Sequence, residues 1–354
     1  MIENIQRHII SRDKSIINAL QRLNDLSGKS MTLMVVDNDM TLLGTLTDGD
    51  IRRAILAGAE LDWQVDRIMF TGFRHVGTQT PDVEYLKECR RHKITLLPRL
   101  DENGKLVGIL DLEKTSTVLP IAAILIAGGK GERLRPMTLT TPKPLLTIDG
   151  KAIIDYNVEA LARCGITDIT VTTGYLAEQI HRHFDSPVAG VKVKCVTEDH
   201  PTGTIGSTAL VPHTTGGATL VMNSDLLTTI SFEEMYLHHR RHDADITIAV
   251  IPYQVAVPFA ILSTDDDRVT ALEEKPTYSY FANAGIYIIN NDILDTVSPE
   301  GRTDATDLIE SSIADGKKVV YYTVDGTWID VGSPADFKQA TELMRHYRQL
   351  SGRD

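Results

Sequence analysis

An apolar run, Ile121-Ala-Ala-Ile-Leu125, passes without a break into Ile126-Ala-Gly-Gly-Lys-Gly-Glu-Arg133. The run has the composition of a strand buried on both faces, as parallel strands are. A glycine-rich turn follows, and after it come cations. A chain that leaves a buried strand in this way is constrained to an open α/β sheet, with a ligand beyond the carboxyl end of that strand. Next to Ala127, the Cβ-free backbone of Gly128, Gly129 and Gly131 lets N–H groups approach a polyanion closely. Arg133 can grip phosphate oxygens in pairs, and Lys143 is a point charge held between Pro142 and Pro144. These features point to a nucleoside triphosphate site, with Ala127, Gly128, Gly129 and Gly131 as nucleotide-binding positions.

Two other phosphate loops are excluded. A dinucleotide-binding G-x-G-x-x-G would need glycine at 134, where Leu134 stands, and a P-loop needs Gly-Lys-Ser/Thr, whereas Gly131 precedes Glu132. The longer pattern is Gly128-Gly-x-Gly-x-Arg-Leu-x-Pro-x-Thr138 followed by Pro142-Lys-Pro-Leu145. It resembles the signature of the sugar-1-phosphate nucleotidyltransferases, and the likeness runs from about residue 120 to the C-terminus. The resemblance implies a Rossmann-like mixed α/β domain, a divalent metal (Mg²⁺), and synthesis of a nucleotide-sugar with release of pyrophosphate.

Strands and helices alternate beyond residue 120, which predicts a mostly parallel sheet with helices on both faces. Expected strands are 121–126, 169–173, 191–196, 218–222, 246–251, 268–272, 285–289 and 319–323, and Ala152 to Cys164 reads as an amphipathic helix. An internal repeat precedes this region. Val36-Asp-Asn-Asp-Met-Thr-Leu-Leu-Gly-Thr-Leu46 aligns without a gap on Leu100-Asp-Glu-Asn-Gly-Lys-Leu-Val-Gly-Ile-Leu110, an offset of 100 − 36 = 64 residues. Each copy reads as strand, acidic turn, strand, with a helical stretch before it, Ser15 to Leu26 and Asp82 to His92. The unit resembles a CBS domain. The expected organisation is a tandem α+β CBS pair at 1–118, with repeats at about 1–60 and 65–118, and a catalytic domain at 119–354.

Two carboxylates stand at strand ends, Asp225 in Val221-Met-Asn-Ser-Asp225 and Asp330 in Trp328-Ile-Asp330-Val-Gly332. A hard divalent ion takes a few carboxylates together with phosphate oxygens. The resemblance assigns Asp225 and Asp330 as the metal ligands. It also gives Lys275, in Glu273-Glu-Lys-Pro276, to the sugar phosphate, Glu274 to the sugar hydroxyls, and Asn283 and Gly285 to the sugar-facing strand. Arg133 and Lys143 complete the expected catalytic set. Glu198, Gly203 and Thr204 form the candidate base-reading segment. A carboxylate can accept from two adjacent N–H groups, as guanine offers, so GTP is the expected nucleotide, with UTP, dTTP and CTP as alternatives. A catalytically inactive nucleotide-sugar sensor is the alternative function. In the first repeat, Thr47 and Asp50 match the positions at which CBS domains contact the phosphate and ribose of an adenine nucleotide. Asp111 and Lys114, their counterparts at offset 64, do not.

Other features narrow the class. Net charge is −12, which opposes a broad nucleic-acid or anionic-membrane surface. Cys89, Cys164 and Cys195 form no even framework, and the N-terminus has no apolar leader, so a cytoplasmic protein is expected. CBS pairs associate, so a homo-oligomer is expected too. His238, His239 and His242 read as part of a solvated basic helix face rather than a metal cluster, and Asp265-Asp-Asp267 as a turn.

Overall fold

The computed structural model of the protein describes residues 5–26, 30–213 and 217–351, the last five as backbone. Two compact units divide the chain, Met1–Leu119 with Arg163–Gly165, and Pro120–Ala162 with Ile166–Asp354.

The first unit runs β1 (Ile9–Ser11), α1 (Ile16–Asp25), β2 (Thr32–Val36), β3 (Leu42–Thr47), α2 (Asp48–Leu56), α3 (Val83–Arg91), β4 (Leu96–Leu100) and β5 (Leu106–Asp111). Both predicted helices are present and begin at side-chain caps, Ser15 for α1 and Asp82 for α3. The sequence repeat is also a repeat of geometry. Asp37 Oδ1 accepts from the amides of Asp39 and Thr41, and Asp101 Oδ1 accepts from those of Asn103 and Lys105. The two β-hairpins then join reciprocally. Leu42 N–H donates to Gly104 O at 3.1 Å, and Leu106 N–H donates to Met40 O at 2.9 Å. Val36, Leu42, Leu100 and Leu106 share one buried cluster. The copies diverge after their second strands. Thr47 caps α2, whereas Asp111 Oδ1 receives the amides of Glu113 and Lys114 in a turn.

The second unit holds a seven-stranded sheet. Its strands in chain order are β6 (Ala122–Ala127), β9 (Ile169–Thr173), β10 (Lys194–Thr197), β11 (Ala218–Asn223), β13 (Ile246–Ala256), β16 (Thr277–Asn290) and β17 (Val319–Thr323). Small ladders add β7 (Thr147–Ile148) with β8 (Lys151–Ala152), β12 (Leu226–Thr228) with β18 (Trp328–Asp330), and β14 (Ile261–Asp265) with β15 (Arg268–Glu273). The helices are α4 (Ile153–Arg163), α5 (Ala177–His183), α6 (Phe232–Arg241), α7 (Asn291–Leu294), α8 (Ala305–Ala314) and α9 (Pro334–Ser351). The sheet order is β10-β9-β6-β11-β16-β13-β17, and only β16 runs against its neighbours. The mostly parallel expectation therefore holds. Ile124, Val221, Ile246 and Ile289 form the core between the sheet and helices α7 and α8.

Three expectations change in detail. The strand expected at 191–196 begins only at Lys194, because Val191 pairs back onto Val188 in a tight turn. Strands β13 and β16 run on past the sheet as a paired arm, from Val250↔Asn283 to Ala256↔Thr277. The arm exposes Tyr253, Tyr280 and Phe281, and Phe259 is exposed in the connection that follows β13. Finally, His239 is not on a solvated face. It is 3% exposed, with Nδ1 at 2.8 Å from Thr247 Oγ1 and Nε2 at 3.1 Å from Asn290 Oδ1. The helix turns this residue inward because two polar side chains there satisfy its ring. Asp265–Asp267 makes the hairpin turn between β14 and β15, as expected. Among the described residues no helix is long and apolar enough to cross a membrane.

Candidate active site

Register places the site. Ala127 pairs with Thr173 and Ile126 with Asn223, so the loops leaving β6, β9 and β11 emerge side by side at one sheet edge. The β12–β18 ladder then sets Leu226 opposite Asp330, and Val331 N–H donates to Asp225 O at 3.2 Å. Two carboxylates separated by 330 − 225 = 105 residues are thereby brought to the same point. A cavity of about 340 Å³ opens there, lined by Ala127, Gly129, Gly131, Arg133, Lys143 and Asp225 among others.

Lys143 sits between the carboxylates. Its Nζ donates to Asp225 Oδ2 and lies 3.4 Å from Asp330 Oδ1, and the residue is only 9% exposed. Its stem packs on the glycine loop. Gly131 has a φ of 59° and closes so tightly that a Cβ there would meet Lys143 Cβ at 3.1 Å. Thr138 Oγ1 holds the same turn by donating to Gly131 O at 2.8 Å. Arg133 lies on Gly332, where a Cβ would stand 2.9 Å from Nη2. Ser224 Oγ donates to Ile126 O at 2.6 Å, and the buried Asn157 Nδ2 donates to Ser224 O at 3.1 Å, fixing the strand end that carries Asp225.

The carboxylates fit a divalent cation. Asp225 Oδ1 is buried and without a hydrogen-bond partner, an orphaned acceptor of the kind a bound ion satisfies. No group of three or more His, Cys, Asp or Glu at metal-binding range exists among the described residues. Two carboxylates with room for phosphate oxygens are the donor set that hard ions take at nucleotide sites.

The remaining predicted residues divide into two sets. Glu198 reaches the loop. Its Oε1 occupies the space a Cβ on Gly128 would need, and its Oε2 accepts from Thr202 N–H and Oγ1 at 3.2 and 2.8 Å. Gly285 lies against Asn223, two residues before Asp225, and Asn283 Oδ1 accepts from Gly285 N–H at 2.9 Å. Gly203 and Thr204 do not line the cavity. Gly203 packs on Thr303 O, and Thr204 caps α8, its N–H donating to Asp304 Oδ1 at 2.9 Å and its Oγ1 accepting from Ala305 N–H at 2.8 Å. The amide of Thr204, with Arg302 adding to it, holds the Asp304 carboxyl below the usual range. Glu274 and Lys275 are exposed at the join of β15 and β16, and the structure does not bring them to the cavity. Sequence reasoning missed Gly332, Gly174 and Thr202 as contacts of Arg133 and Glu198. Only the position of Gly332 beside Asp330 hinted at one of them.

In the first unit, Thr47 and Asp50 close a capping box. Thr47 N–H and Oγ1 both donate to Asp50 Oδ2, at 2.8 and 2.6 Å, and Arg53 pairs with Oδ1.

Comparison with known proteins agrees with this architecture. A fold neighbour is a glucose-1-phosphate thymidylyltransferase structure from Bacillus anthracis, 24% identical, TM-score 0.51, covering 64% of this chain and 95% of that one. Mannose-1-phosphate guanylyltransferase of Mycobacterium tuberculosis is 33% identical over 236 residues, covering 64% of this chain and 65% of the relative. The D-glycero-alpha-D-manno-heptose 1-phosphate guanylyltransferase of Aneurinibacillus thermoaerophilus is 31% identical over 228 residues, covering 64% of this chain and 99% of the relative. The chain spans 65% and 63% of the length of the mycobacterial enzyme and of its Schizosaccharomyces pombe counterpart. Enzymes of this family generally use a divalent metal. Residues 2–57 match the CBS domain model, and residues 122–346 match the model described as Nucleotidyl transferase, so the chain belongs to the nucleotidyl transferase family and carries a CBS domain at its N-terminal end.

Proposed function

We propose that the chain transfers a nucleoside monophosphate from GTP to a sugar 1-phosphate, giving a nucleotide-sugar and pyrophosphate. The observation that carries this reading is the convergence of Lys143, Asp225 and Asp330 beside the glycine loop. The guanylyltransferase relatives support the choice of nucleotide.

The chemistry asks little of a base. The second ionisation of a phosphate monoester has a pKa of about 6, so the sugar phosphate is already a nucleophile at neutral pH. Its oxygen attacks the α-phosphorus in line, the bond from that phosphorus to the β-bridging oxygen breaks, and the pair of electrons leaves with pyrophosphate. Catalysis then consists of alignment and neutralisation of charge. The loop amides of Gly128, Gly129 and Gly131 and the Arg133 guanidinium hold the triphosphate, and Lys143 faces the transferred and leaving phosphates. Asp225 and Asp330 would hold a divalent ion, taken as Mg²⁺, which would supply positive charge at the triphosphate.

Glu198 reads the guanine edge from beneath Gly128 in this scheme, with Thr204 and Gly203 securing its segment on α8. Lys275 is assigned the sugar phosphate, Glu274 the sugar hydroxyls, and Asn283 and Gly285 the sugar-facing strand. Lys275 has a φ of 44° immediately before Pro276, a strained conformation of the kind kept at ligand sites. Residues 1–118 act as a CBS pair whose second copy is supported by the reciprocal bonds of Leu42 and Leu106, and residues 119–354 act as the catalytic domain. An adenine nucleotide at Thr47 and Asp50 would tune the rate. Buried Cys89, which is in no disulfide, suits a cytoplasmic enzyme, and the exposed apolar residues of the arm suit a homo-oligomer.

Pyrophosphate release across a matrix of nucleoside triphosphates and sugar 1-phosphates tests the reaction. GTP with one hexose or heptose 1-phosphate should dominate, and release with no pair would refute transferase activity. Calorimetry of the full chain with AMP, ADP and ATP tests the regulatory site. Heat that Asp50→Ala removes supports it, and identical heats in both proteins reject it.

A further inference from the structure

We propose that Lys143 is an exchangeable counter-ion. Its ammonium neutralises Asp225 and Asp330, yields them to a divalent ion only when a triphosphate is present to receive it, and so makes metal and nucleotide enter together. The inference rests on the metal and triphosphate roles given above.

The geometry sets up the exchange. Lys143 Nζ contacts Asp225 Oδ2 and Asp330 Oδ1, the two carboxylates that would hold the ion. An ammonium and a divalent ion cannot both sit on that pair, because like charges at contact distance repel. Two of the three ammonium donors are spent there. One role of Lys143, pairing with carboxylates, therefore excludes the other, pairing with phosphates.

The side chain is built to move only at its tip. Pro142 and Pro144 fix the backbone on either side, and the Lys143 Cβ is packed on Gly131. The stem stays on the glycine loop while the terminal carbons can swing the charge toward a ligand lying on that loop. Asp225 Oδ1 adds a reason to swing. The oxygen is buried and unanswered by the ammonium, so the carboxylate is only half satisfied by Lys143. A divalent ion can use the acceptor the lysine leaves idle.

Charge decides the order. Two carboxylates against one ammonium leave a formal −1, which a divalent ion would cancel with its second charge. An ion arriving alone, however, must drive an ammonium off its partners with only water to accept it. A triphosphate supplies that acceptor, and the freed Lys143 then joins Arg133 on it. Metal and nucleotide affinities should consequently be coupled, each raising the other by the same factor.

Calorimetric titration of the full chain with Mn²⁺, with and without a non-hydrolysable GTP analogue, tests the exchange. In the wild type the analogue should tighten Mn²⁺ binding about ten-fold or more, which is about 1.4 kcal/mol. Lys143→Met keeps the apolar stem and removes the charge. It should bind Mn²⁺ alone at least ten-fold tighter than the wild type, and Lys143→Gln should do the same should the methionine variant fold poorly. Lys143→Arg retains a cation and should show no gain. Adding Asp225→Asn to Lys143→Met should erase the gain. Melting temperature gives a second readout, since Mn²⁺ alone should stabilise Lys143→Met but not the wild type. Equal Mn²⁺ affinity in wild type and Lys143→Met, or no effect of the analogue on the wild type, would overturn the exchange while leaving the metal site standing. Absence of Mn²⁺ binding in every protein under every condition would overturn the metal site itself.

Discussion

A Cβ placed on Gly128 would collide with Oε1 of Glu198, so the glutamate carboxylate lies in the volume a side chain on the loop would fill. Gly174, at the end of the neighbouring strand, closes the same space, with Oε1 2.8 Å from its own hypothetical Cβ. A charged acceptor is thus seated under the glycine loop with one oxygen fixed by Thr202.

Base selectivity follows from that seat. Glu198→Gln replaces one acceptor by a donor and should lower kcat/KM for GTP by about 10- to 100-fold, the loss of one or two charge-assisted hydrogen bonds. Activity with UTP or dTTP should fall less. Rates with the four triphosphates measure this directly, and an unchanged GTP preference would dismiss Glu198 as the reader.

Metal dependence should reside in the paired carboxylates. Asp225→Asn and Asp330→Asn keep shape and remove charge, so each should reduce turnover at least about 10²-fold with the circular dichroism spectrum intact. Near-wild-type rates in both variants would exclude this pair as the ligands.

Arg133 depends on Gly332 for its position. Gly332→Ala puts a methyl 2.9 Å from Nη2 and must displace the guanidinium. The guanidinium needs to yield by only about half an ångström, so the loss in rate should be smaller than the roughly 10²-fold of a 1 Å misplacement. Arg133→Lys should be similarly impaired because it loses the paired donors. Steady-state kinetics indistinguishable from wild type for Arg133→Lys would mean that Arg133 does not hold the nucleotide.

Acid sensitivity has a specific source in α6. Burial is the main cause that lowers the His239 imidazole below its ordinary 6.5, and Arg240 and His238 add to it against the bond from Asn290. As pH falls below about 6.5 the unfolded chain takes up this proton before the folded one does. Stability from this group is therefore full above that value and declines toward lower pH. His239→Gln cannot charge, so its melting temperature should fall less steeply than that of wild type between about pH 6.5 and 5. Parallel curves would remove His239 from the account.

What the sequence determined by itself was local or periodic. The strand before the glycine loop, the caps at Ser15 and Asp82, the 64-residue repeat and the parallel bias of the sheet all depend on neighbouring residues or fixed spacing. Arg133, Lys143, Asp225 and Asp330 were legible because a long motif and two strand-end aspartates carry them. Tertiary structure decided the rest. Only the β12–β18 register brings Asp330 to Asp225 and puts Lys143 between them. Nothing in Gly203-Thr204 announces that these residues serve α8, nor does α6 alone say that His239 faces Thr247 and Asn290. Such choices depend on which distant groups answer a polar atom once it is buried. That energy belongs to the packed sheet, and no segment of the chain contains it alone.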